Sequence, residues 1–394
     1  MAEWKTVRLG TIVSTNQDTY SLKENWQFVN YLDTGNITMN RIDEVQHINT
    51  SMDKLPSRAR RKVKSNSIIY STVRPNQLHY GIIKEQPENF LVSTGFTVID
   101  VNMEKAVPDY IYYVLTQKEI TEHLQAIAEQ SVSAYPSLKP SDIENLEVLL
   151  PDIDTQKATV AILGVIDEKI KQNTEINNNL EQQAQAIFAN EFLSLDTLPE
   201  GWKQASLIDI ADYLNGLAMQ KYRPTADESG IPVLKIKELR QGCCDDNSEL
   251  CSPSIKSDYI IHDGDVIFSW SGSLLVDLWC GGICGLNQHL FKVTSSKYDK
   301  WFYYAWTKHH LDRFVAVAAD KATTMGHIKR DELAKAEVLI PNETDYNRIG
   351  ALLQPIYEMI ISNRIENKKL AATRDTLLPK LMNGEIDMSE VDYE

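Results

Sequence analysis

The sequence of 394 residues predicts an α+β protein made of two copies of one unit, in which a globular part precedes a long helix. Two observations support this fold class. Short motifs of the first half return in the second half, and two helical segments carry the same heptad pattern in the same phase. The length suggests two or three domains, and an apolar fraction of 43% is ordinary for globular proteins.

The repeated motifs mark the beginning, the middle and the end of each globular part. The first two pairs are 198 residues apart, and the offset drifts to 190 by the last pair, as differences in loop length would produce. We therefore expect globular parts over 1–150 and 197–340, with short strands and single helices. The matched segments are Trp4-Lys5 with Trp202-Lys203, 67–71 with 265–269, 110–113 with 301–304, and 147–151 with 337–341.

A long helix is expected after each globular part, within 151–196 and within 341–394. Apolar residues recur at alternating spacings of three and four through 156–192 and 346–383, which is typical of a coiled-coil seam. A surface amphipathic helix is the alternative for one such segment, but two segments in identical phase favour pairing with each other. The pairing should be antiparallel, because the first helix leads to the second globular part and the second helix must return.

Two asparagines interrupt the middle of each seam at matching positions. Antiparallel pairing sets Asn173 opposite Asn367 and Asn177 opposite Asn363. Buried asparagine pairs fix the register of a coiled coil at some cost in stability. Each helix would be about 55 Å long at 1.5 Å per residue, so the pair would hold the two globular parts a fixed distance apart.

The net charge of −15 argues against a protein that coats nucleic acid with its whole surface, which would be basic. DNA binding needs only a local basic face. The densest basic cluster lies in 51–64, where a phosphate-contacting loop is the preferred interpretation and a solvated charged loop is the alternative. Its cations are Lys54, Arg58, Arg60, Arg61, Lys62 and Lys64.

Motifs of catalysis are missing from the sequence. It contains no phosphate-binding loop of ATPases, no dinucleotide-binding glycine fingerprint, no Asn-Pro-Pro-Tyr or Asp-Pro-Pro-Tyr run of amino-methyltransferases and no nuclease carboxylate pattern. The five cysteines lack the usual spacing of zinc ligands and are interpreted as ordinary thiols. The missing motifs lead us to expect no catalytic site in this chain. Since neither a signal peptide nor a membrane-spanning run is evident, we also expect a cytoplasmic protein.

The order of a variable globular part, a long helix, a second variable part and a second long helix resembles the specificity subunits of type I restriction–modification systems. Each globular part opens on Trp-Lys and closes on Leu-x-Pro, and the resemblance covers essentially the whole chain. It implies two target-recognition domains, which read the two halves of a split, asymmetric DNA site. It also implies an antiparallel coiled coil that docks two methyltransferase subunits, which restriction subunits then join. S-adenosylmethionine and ATP would belong to those partners, and this chain would need no cofactor.

The resemblance places the DNA contacts of each globular part in its polar loops, where arginine suits guanine and asparagine or glutamine suits adenine. Taken singly, a polar residue of the loop before each closing helix is better explained as a turn former, and the loops as groups are stronger candidates. In the first part the candidates beyond the basic cluster are Arg74, Asn76, Gln77, Ser133 and Tyr135. In the second part they are Trp270, Ser271, Ser273, Asn287, Gln288, His289, Lys321, Thr323, Thr324 and His327.

Three other interpretations stay open at this point. The chain would be the recognition subunit of a complex that only methylates DNA, the detached recognition half of a fused restriction–methylation enzyme, or a scaffold whose domains bind proteins. A neighbouring methyltransferase gene would favour a specificity subunit over a scaffold. The bases read and the spacer between half-sites follow no simple code in the sequence.

Overall fold

A computed structural model describes residues 4–131, 135–320 and 330–388 of the chain. These residues form two compact units. The first unit comprises Met1–Asp167 and Ala372–Glu394, and the second unit comprises Glu168–Ala371.

In its described residues the first unit contains four small sheets, one of them a two-stranded hairpin, and three short α-helices, followed by the start of a long helix. Its strands are β1 (Lys5–Arg8), β2 (Val13–Thr15), β3 (Phe28–Leu32), β4 (Ile37–Thr38), β5 (Arg41–Ile42), β6 (Gln46–Asn49), β7 (Ala59–Arg61), β8 (Ser67–Ser71), β9 (Tyr80–Ile83), β10 (Phe90–Ser93), β11 (Phe96–Val101) and β12 (Glu147–Leu150), with β4 and β5 forming a separate hairpin. Its helices are α1 (Pro108–Thr116), α2 (Lys118–Glu129), α3 (Pro140–Glu144) and the start of α4 (Ile153–Phe188).

The second unit follows a similar order of elements, with a short helix where the first unit has the β4–β5 hairpin. Its strands are β13 (Lys203–Ser206), β14 (Asp212–Asn215), β15 (Ile231–Leu234), β16 (Leu250–Cys251), β17 (Ile260–Ile261), β18 (Val266–Ser269), β19 (Leu275–Leu278), β20 (Cys284–Leu286), β21 (Leu290–Thr294) and β22 (Glu337–Ile340). Its helices are α5 (Leu207–Ile210), α6 (Ile236–Gln241), α7 (Lys300–His309), α8 (Leu311–Asp320), α9 (Arg330–Ala334) and α10 (Glu343–Met382), and a π-helical turn (Ala189–Leu193) extends α4.

The two units share one sheet topology, which is direct structural support for the duplication. In the first unit the strand orders are β2-β11-β8-β9 and β6-β3-β10-β7, and in the second they are β14-β21-β18-β19 and β16-β15-β20-β17. Each second sheet contains one parallel pair, β3 with β10 and β15 with β20, among antiparallel neighbours. The predicted α+β fold of two homologous parts with two long helices is therefore confirmed.

The central strands form because their residues suit burial on both faces. β8 and β18 are buried along their whole length, and both carry β-branched and aromatic side chains before a closing serine. The following helices, α1 and α7, are rich in aromatic residues that pack beneath these sheets, among them Tyr110, Trp301 and Phe302.

The first and last strands of each globular part pair with each other. Lys5 of β1 lies opposite Leu150 of β12, and Lys203 of β13 lies opposite Ile340 of β22, both in antiparallel register. The backbone continues the match beyond the strands: Leu9 N donates to Leu146 O at 2.8 Å, as Leu207 N donates to Ala336 O at 3.1 Å. The chain thus enters and leaves each globular part at adjacent points.

Each unit draws one end of each long helix into its own apolar core. In the first unit the start of α4 supplies Leu163 and the end of α10 supplies Leu381. In the second unit the end of α4 supplies Phe188, and α10 supplies Leu353 and Ile360. The helices therefore run antiparallel, because the end of one packs in the same core as the beginning of the other.

The asparagines of the two seams meet within the second unit. Asn173 Nδ2 donates to Asn367 Oδ1 and Asn363 Nδ2 donates to Asn177 Oδ1, each at 2.9 Å. Asn177 Nδ2 also reaches the carbonyl oxygen of Ile360, and Asn367 Nδ2 reaches that of Ile170. These are the pairs that the antiparallel register predicts, and each amide finds acceptors, among them the Glu366 carboxylate for Asn173 and the Thr174 hydroxyl for Asn367.

We predict that the two central asparagines are coupled in stability. Replacing Asn177 by Leu leaves the buried Asn363 amide without its acceptor and should lower the free energy of unfolding by about 1–3 kcal/mol. The double variant Asn177→Leu with Asn363→Leu should lose less than the sum of the single variants, because it leaves no orphaned polar group. Urea unfolding followed by helical circular dichroism measures both effects.

The neighbouring, exposed Asn178 provides the matched control, and Asn178→Leu should change stability by no more than about 0.5 kcal/mol. Strict additivity of the Asn177 and Asn363 substitutions would contradict the coupling.

Candidate nucleic-acid interface

The loop after β8 presents an arginine on an aromatic ring. The Arg74 guanidinium lies 5.1 Å from the centroid of the Tyr135 ring, and both side chains are exposed. No carboxylate among the described residues forms an ion pair with Arg74. A stacked guanidinium keeps its N–H donors directed outward, which suits the planar recognition of a base edge.

The backbone that carries Arg74 is held by hydrogen bonds to the segment around Tyr135. Arg74 N donates to Pro136 O at 3.1 Å, and Leu138 N donates to Thr72 O at 2.7 Å. The candidates Asn76 and Gln77 follow in a 3-10 turn, and Asn76 N donates to the Gln125 side chain of α2 at 3.2 Å. The structure therefore brings Arg74, Asn76, Gln77 and Tyr135 together at one exposed edge.

Sequence reasoning missed the hairpin turn between β4 and β5, which lies beside this loop. Met39 N donates to Leu78 O at 2.9 Å, and Asn40 N donates to Tyr80 O at 2.8 Å. Met39, Arg74 and Leu78 have φ of +48°, +49° and +57°, a left-handed conformation that is unfavourable for such side chains. The sequence gives no turn signal at Met39 or Leu78, since neither is a residue that this conformation favours.

The basic cluster divides into paired and unpaired cations. Lys62 Nζ contacts Glu24 at 2.5 Å, and Lys64 Nζ contacts Asp18 at 3.1 Å. The hydrogen bond from Lys62 lowers the pKa of Glu24, and the one to Asp18 raises the pKa of Lys64. These lysines are therefore largely neutralised by acids, which weakens their case as phosphate contacts.

The arginines of the cluster differ in their surroundings. Arg58 is exposed, and Arg60 is half-buried with its Nη1 on the carbonyl oxygen of its neighbour Ala59. Arg61 is half-buried, its Nε has no hydrogen-bond partner, and burial lowers the pKa of its guanidinium. Arg60 and Arg61 belong to β7, so the cluster is in part a strand rather than the loop that the sequence suggested.

In the second unit the corresponding loop follows β18 and is built differently. Trp270 Nε1 donates to Asn215 Oδ1 at 3.0 Å, and its indole lies 6.2 Å from the His289 ring. Ser271 is buried and shares a hydrogen bond of 3.1 Å with His289 Nδ1. Ser273 is exposed at the tip of the loop. Trp270, Ser273 and His289 therefore lie at one edge of the second unit, and the buried Ser271 orients the His289 imidazole through its hydrogen bond.

The residues before β21 form a turn beside the same edge. Asn287 is buried, and its Oδ1 accepts from the backbone N–H of His289 at 3.2 Å. Gln288 is half-buried, with its Nε2 3.3 Å from His289 Nε2. As placed here, Ser271 and Asn287 position their neighbours and do not present a polar edge to solvent, in contrast to the exposed contacts expected from the sequence. Ser133, Lys321, Thr323, Thr324 and His327 lie outside the described residues.

The cysteines are free thiols in this structure. Burial raises the pKa of Cys251 and of Cys280 to about 11, so both stay protonated at neutral pH. Among the residues that the structure describes, no group of three histidine, cysteine or carboxylate side chains is arranged to hold a metal ion. Nor is any described helix both long and apolar enough to cross a bilayer.

The duplicated architecture is matched by comparison with known proteins. Residues 1–182 and 199–372 each match the profile of the type I restriction modification DNA specificity domain. The chain belongs to this family. It is therefore a type I restriction–modification specificity subunit, a class of protein that recognises DNA.

Several members resemble this subunit along most of its length. The specificity subunit of the type I restriction enzyme HindI from Haemophilus influenzae is 23% identical over 98% of this chain and 100% of its own length. That of MjaIX from Methanocaldococcus jannaschii is 26% identical, over 75% of this chain and 73% of its own. The solved S subunit of a type I system from M. genitalium, at 14% identity, covers 97% of this chain and 96% of its own with a TM-score of 0.55, which shows a similar fold.

The ion pairs within the basic cluster lead to a prediction about its contacts with the DNA phosphate backbone. Arg58 and Arg60 form no ion pair with a carboxylate among the described residues, so replacing both by Ala should weaken DNA binding to every sequence alike. The slope of log K against log salt should flatten by about 0.9 for each lost phosphate contact. The measurement is a salt titration of the assembled complex on duplex DNA.

The control removes a cation together with its partner acid. Lys62→Ala with Glu24→Ala keeps the net charge and should leave the salt slope as it is. An unchanged slope in the Arg58 and Arg60 variant would mean that these arginines are only solvated.

Proposed function

We propose that this specificity subunit reads a bipartite, asymmetric DNA site, one half with each unit, and docks the methyltransferase and restriction subunits that act on it. The observation that carries the proposal is a shared sheet topology with unlike loops at the same place. After β8 stands an arginine stacked on a tyrosine, whereas after β18 stands a tryptophan beside a histidine. Two units that share a sheet topology but carry different loops are suited to reading two different half-sites. The spacer between them would follow the length of the two long helices.

Two apolar patches on the long helices support the docking of two copies of one partner. In the second unit Leu352, Pro355 and Met359 of α10 lie on one helix face, and Leu352 and Met359 are 46% and 52% exposed. The positions 190 residues earlier are Ile162, Val165 and Lys169 of α4, of which Ile162 is half-buried and Val165 is 71% exposed. Exposed apolar clusters of this kind mark protein–protein contacts. Because two of the three equivalent positions are apolar in both helices, we assign the patches to two methyltransferase subunits.

The docking proposal predicts that each patch can be disabled separately. Val165→Glu should release one methyltransferase subunit, Leu352→Glu should release the other, and the double variant should bind neither, because a carboxylate cannot be buried there without a partner. Native mass spectrometry of the reconstituted complex counts the bound copies.

The matched control is Asn178→Glu, which adds the same charge at an exposed position of α4 outside the patches. It should leave both copies bound. Retention of two copies by the double variant would exclude these patches as the docking surfaces.

We further propose that the subunit has no catalytic activity of its own. The missing motifs in the sequence support this, and S-adenosylmethionine and ATP would bind to the partner subunits. The purified chain should transfer no labelled methyl group to plasmid DNA, cut no DNA and hydrolyse no ATP, and adding the methyltransferase subunit should restore methylation. Turnover that survives rigorous removal of partner subunits would contradict the proposal.

A further inference from the structure

We propose that Arg74 reads a guanine in the half-site of the first unit and that Tyr135 holds its guanidinium in place. This inference rests on the proposed reading of DNA by the first unit and goes beyond it by naming the residue and the base. Two independent features of the described residues carry it, the concentration of unfavourable backbone at this edge and the chemistry of the stacked pair.

The unfavourable backbone is concentrated at one place. Eight residues other than glycine have positive φ in the described parts of the chain, and five of them are asparagines, which tolerate this conformation. The other three are Met39, Arg74 and Leu78. All three lie in the two turns that are joined by the hydrogen bond from Met39 N to Leu78 O. Backbone of this kind is energetically unfavourable and tends to persist at sites of function.

The surrounding hydrogen bonds keep the Arg74 turn in one conformation. On one side the turn is tied to Pro136 by Arg74 N and to Leu138 through Thr72 O. Its own carbonyl oxygen accepts from Gln77 N at 2.9 Å. On the other side the Asn40 side chain accepts from Ile82 N at 2.9 Å, which anchors the neighbouring hairpin turn to β9. The position of the arginine is thus fixed from both flanks before any ligand binds.

The chemistry of the stacked pair favours guanine. Guanine offers two acceptors, N7 and O6, side by side in the major groove, and an arginine fork can donate to both at once. Stacking on Tyr135 restricts the rotamers of the long side chain, so less entropy is lost when the base is bound. Several other cations of this unit, though not Arg58 and Arg60, are engaged by acids: Arg41 with Asp43 at 3.2 Å, and Lys62 and Lys64 as described above. Arg74 combines a backbone held by hydrogen bonds, a guanidinium stacked on an aromatic ring and, within the described residues, no ion pair with a carboxylate.

The test begins with the recognition site of the wild-type complex, mapped by methylome sequencing of cells that carry the subunit with its methyltransferase. Duplexes of that site are then made with 7-deazaguanine, which lacks the N7 acceptor, at one guanine at a time. Substitution at one guanine of one half-site should lower the affinity of the duplex for the wild-type complex roughly 10- to 100-fold. In the Arg74→Gln complex the same substitution should have a much smaller effect, because the arginine fork that donates to N7 and O6 together is gone.

Variants of the tyrosine separate stacking from general disruption. Tyr135→Phe keeps the ring and should keep the guanine preference, whereas Tyr135→Ala should reduce it. Arg58→Gln serves as the matched arginine control, since it should lower affinity for all sequences and leave the preference intact.

The outcomes distinguish this inference from the proposed function. If the wild-type complex binds its site specifically but Arg74→Gln keeps the same guanine preference, the inference is wrong and the proposed function stands. If substitutions throughout the first unit leave both mapped half-sites unchanged, the reading of DNA by that unit is itself wrong. Should Arg74→Gln fail to assemble, the 7-deazaguanine series with the wild-type complex decides alone, and a site without any sensitive guanine overturns the inference.

Discussion

The pairing of the first strand of each globular part with its last strand is the constraint on which the rest of the structure depends. β1 with β12 and β13 with β22 bring the chain back to the point where it entered, in the same register in both units. The long helix then begins three residues after the closing strand, at Ile153 and at Glu343. All the strands, helices and loops of a globular part therefore lie between two strands that are paired with each other.

Because the first and last strands stay paired, the segments between them can differ in length and sequence without changing where the long helix begins. Eight residues separate β8 from β9, whereas five separate β18 from β19, and the side chains displayed there have little in common. The parallel strand pair and the buried central strand are kept in both units, since these carry the core. Recognition residues can therefore change by substitution in loops while packing continues to specify one frame.

The sequence predicted the features that repeat and missed those that depend on tertiary contact. The duplication, the two long helices and the asparagine register follow from periodic patterns that are visible twice. The neutralisation of Lys62 and Lys64 by Glu24 and Asp18 joins residues about 40 positions apart, and no local pattern signals it. The burial of Asn287 is likewise a tertiary effect, because its neighbours decide whether a polar loop residue faces solvent or caps a turn.

The turns with positive φ also show which backbone conformations the sequence could not predict. Sequence reasoning expects glycine or asparagine where φ is positive, and five asparagines of the first unit meet that expectation. Met39 and Leu78 do not, since hydrogen bonds between two loops hold them there against their own preference. Such positions become visible only when the fold brings the loops together.

If each globular part is an exchangeable reader of DNA on a common frame, a transplanted part should bring its own half-site with it. The most direct test replaces residues 9–146 by a copy of residues 207–336, the stretch enclosed by the equivalent hydrogen bonds in the second unit. Methylome sequencing of cells carrying this chimera with the methyltransferase then reports its site. The account predicts a site made of the second half-site occurring twice. Methylation of the original asymmetric site, or of bases unrelated to the second half-site, would contradict it.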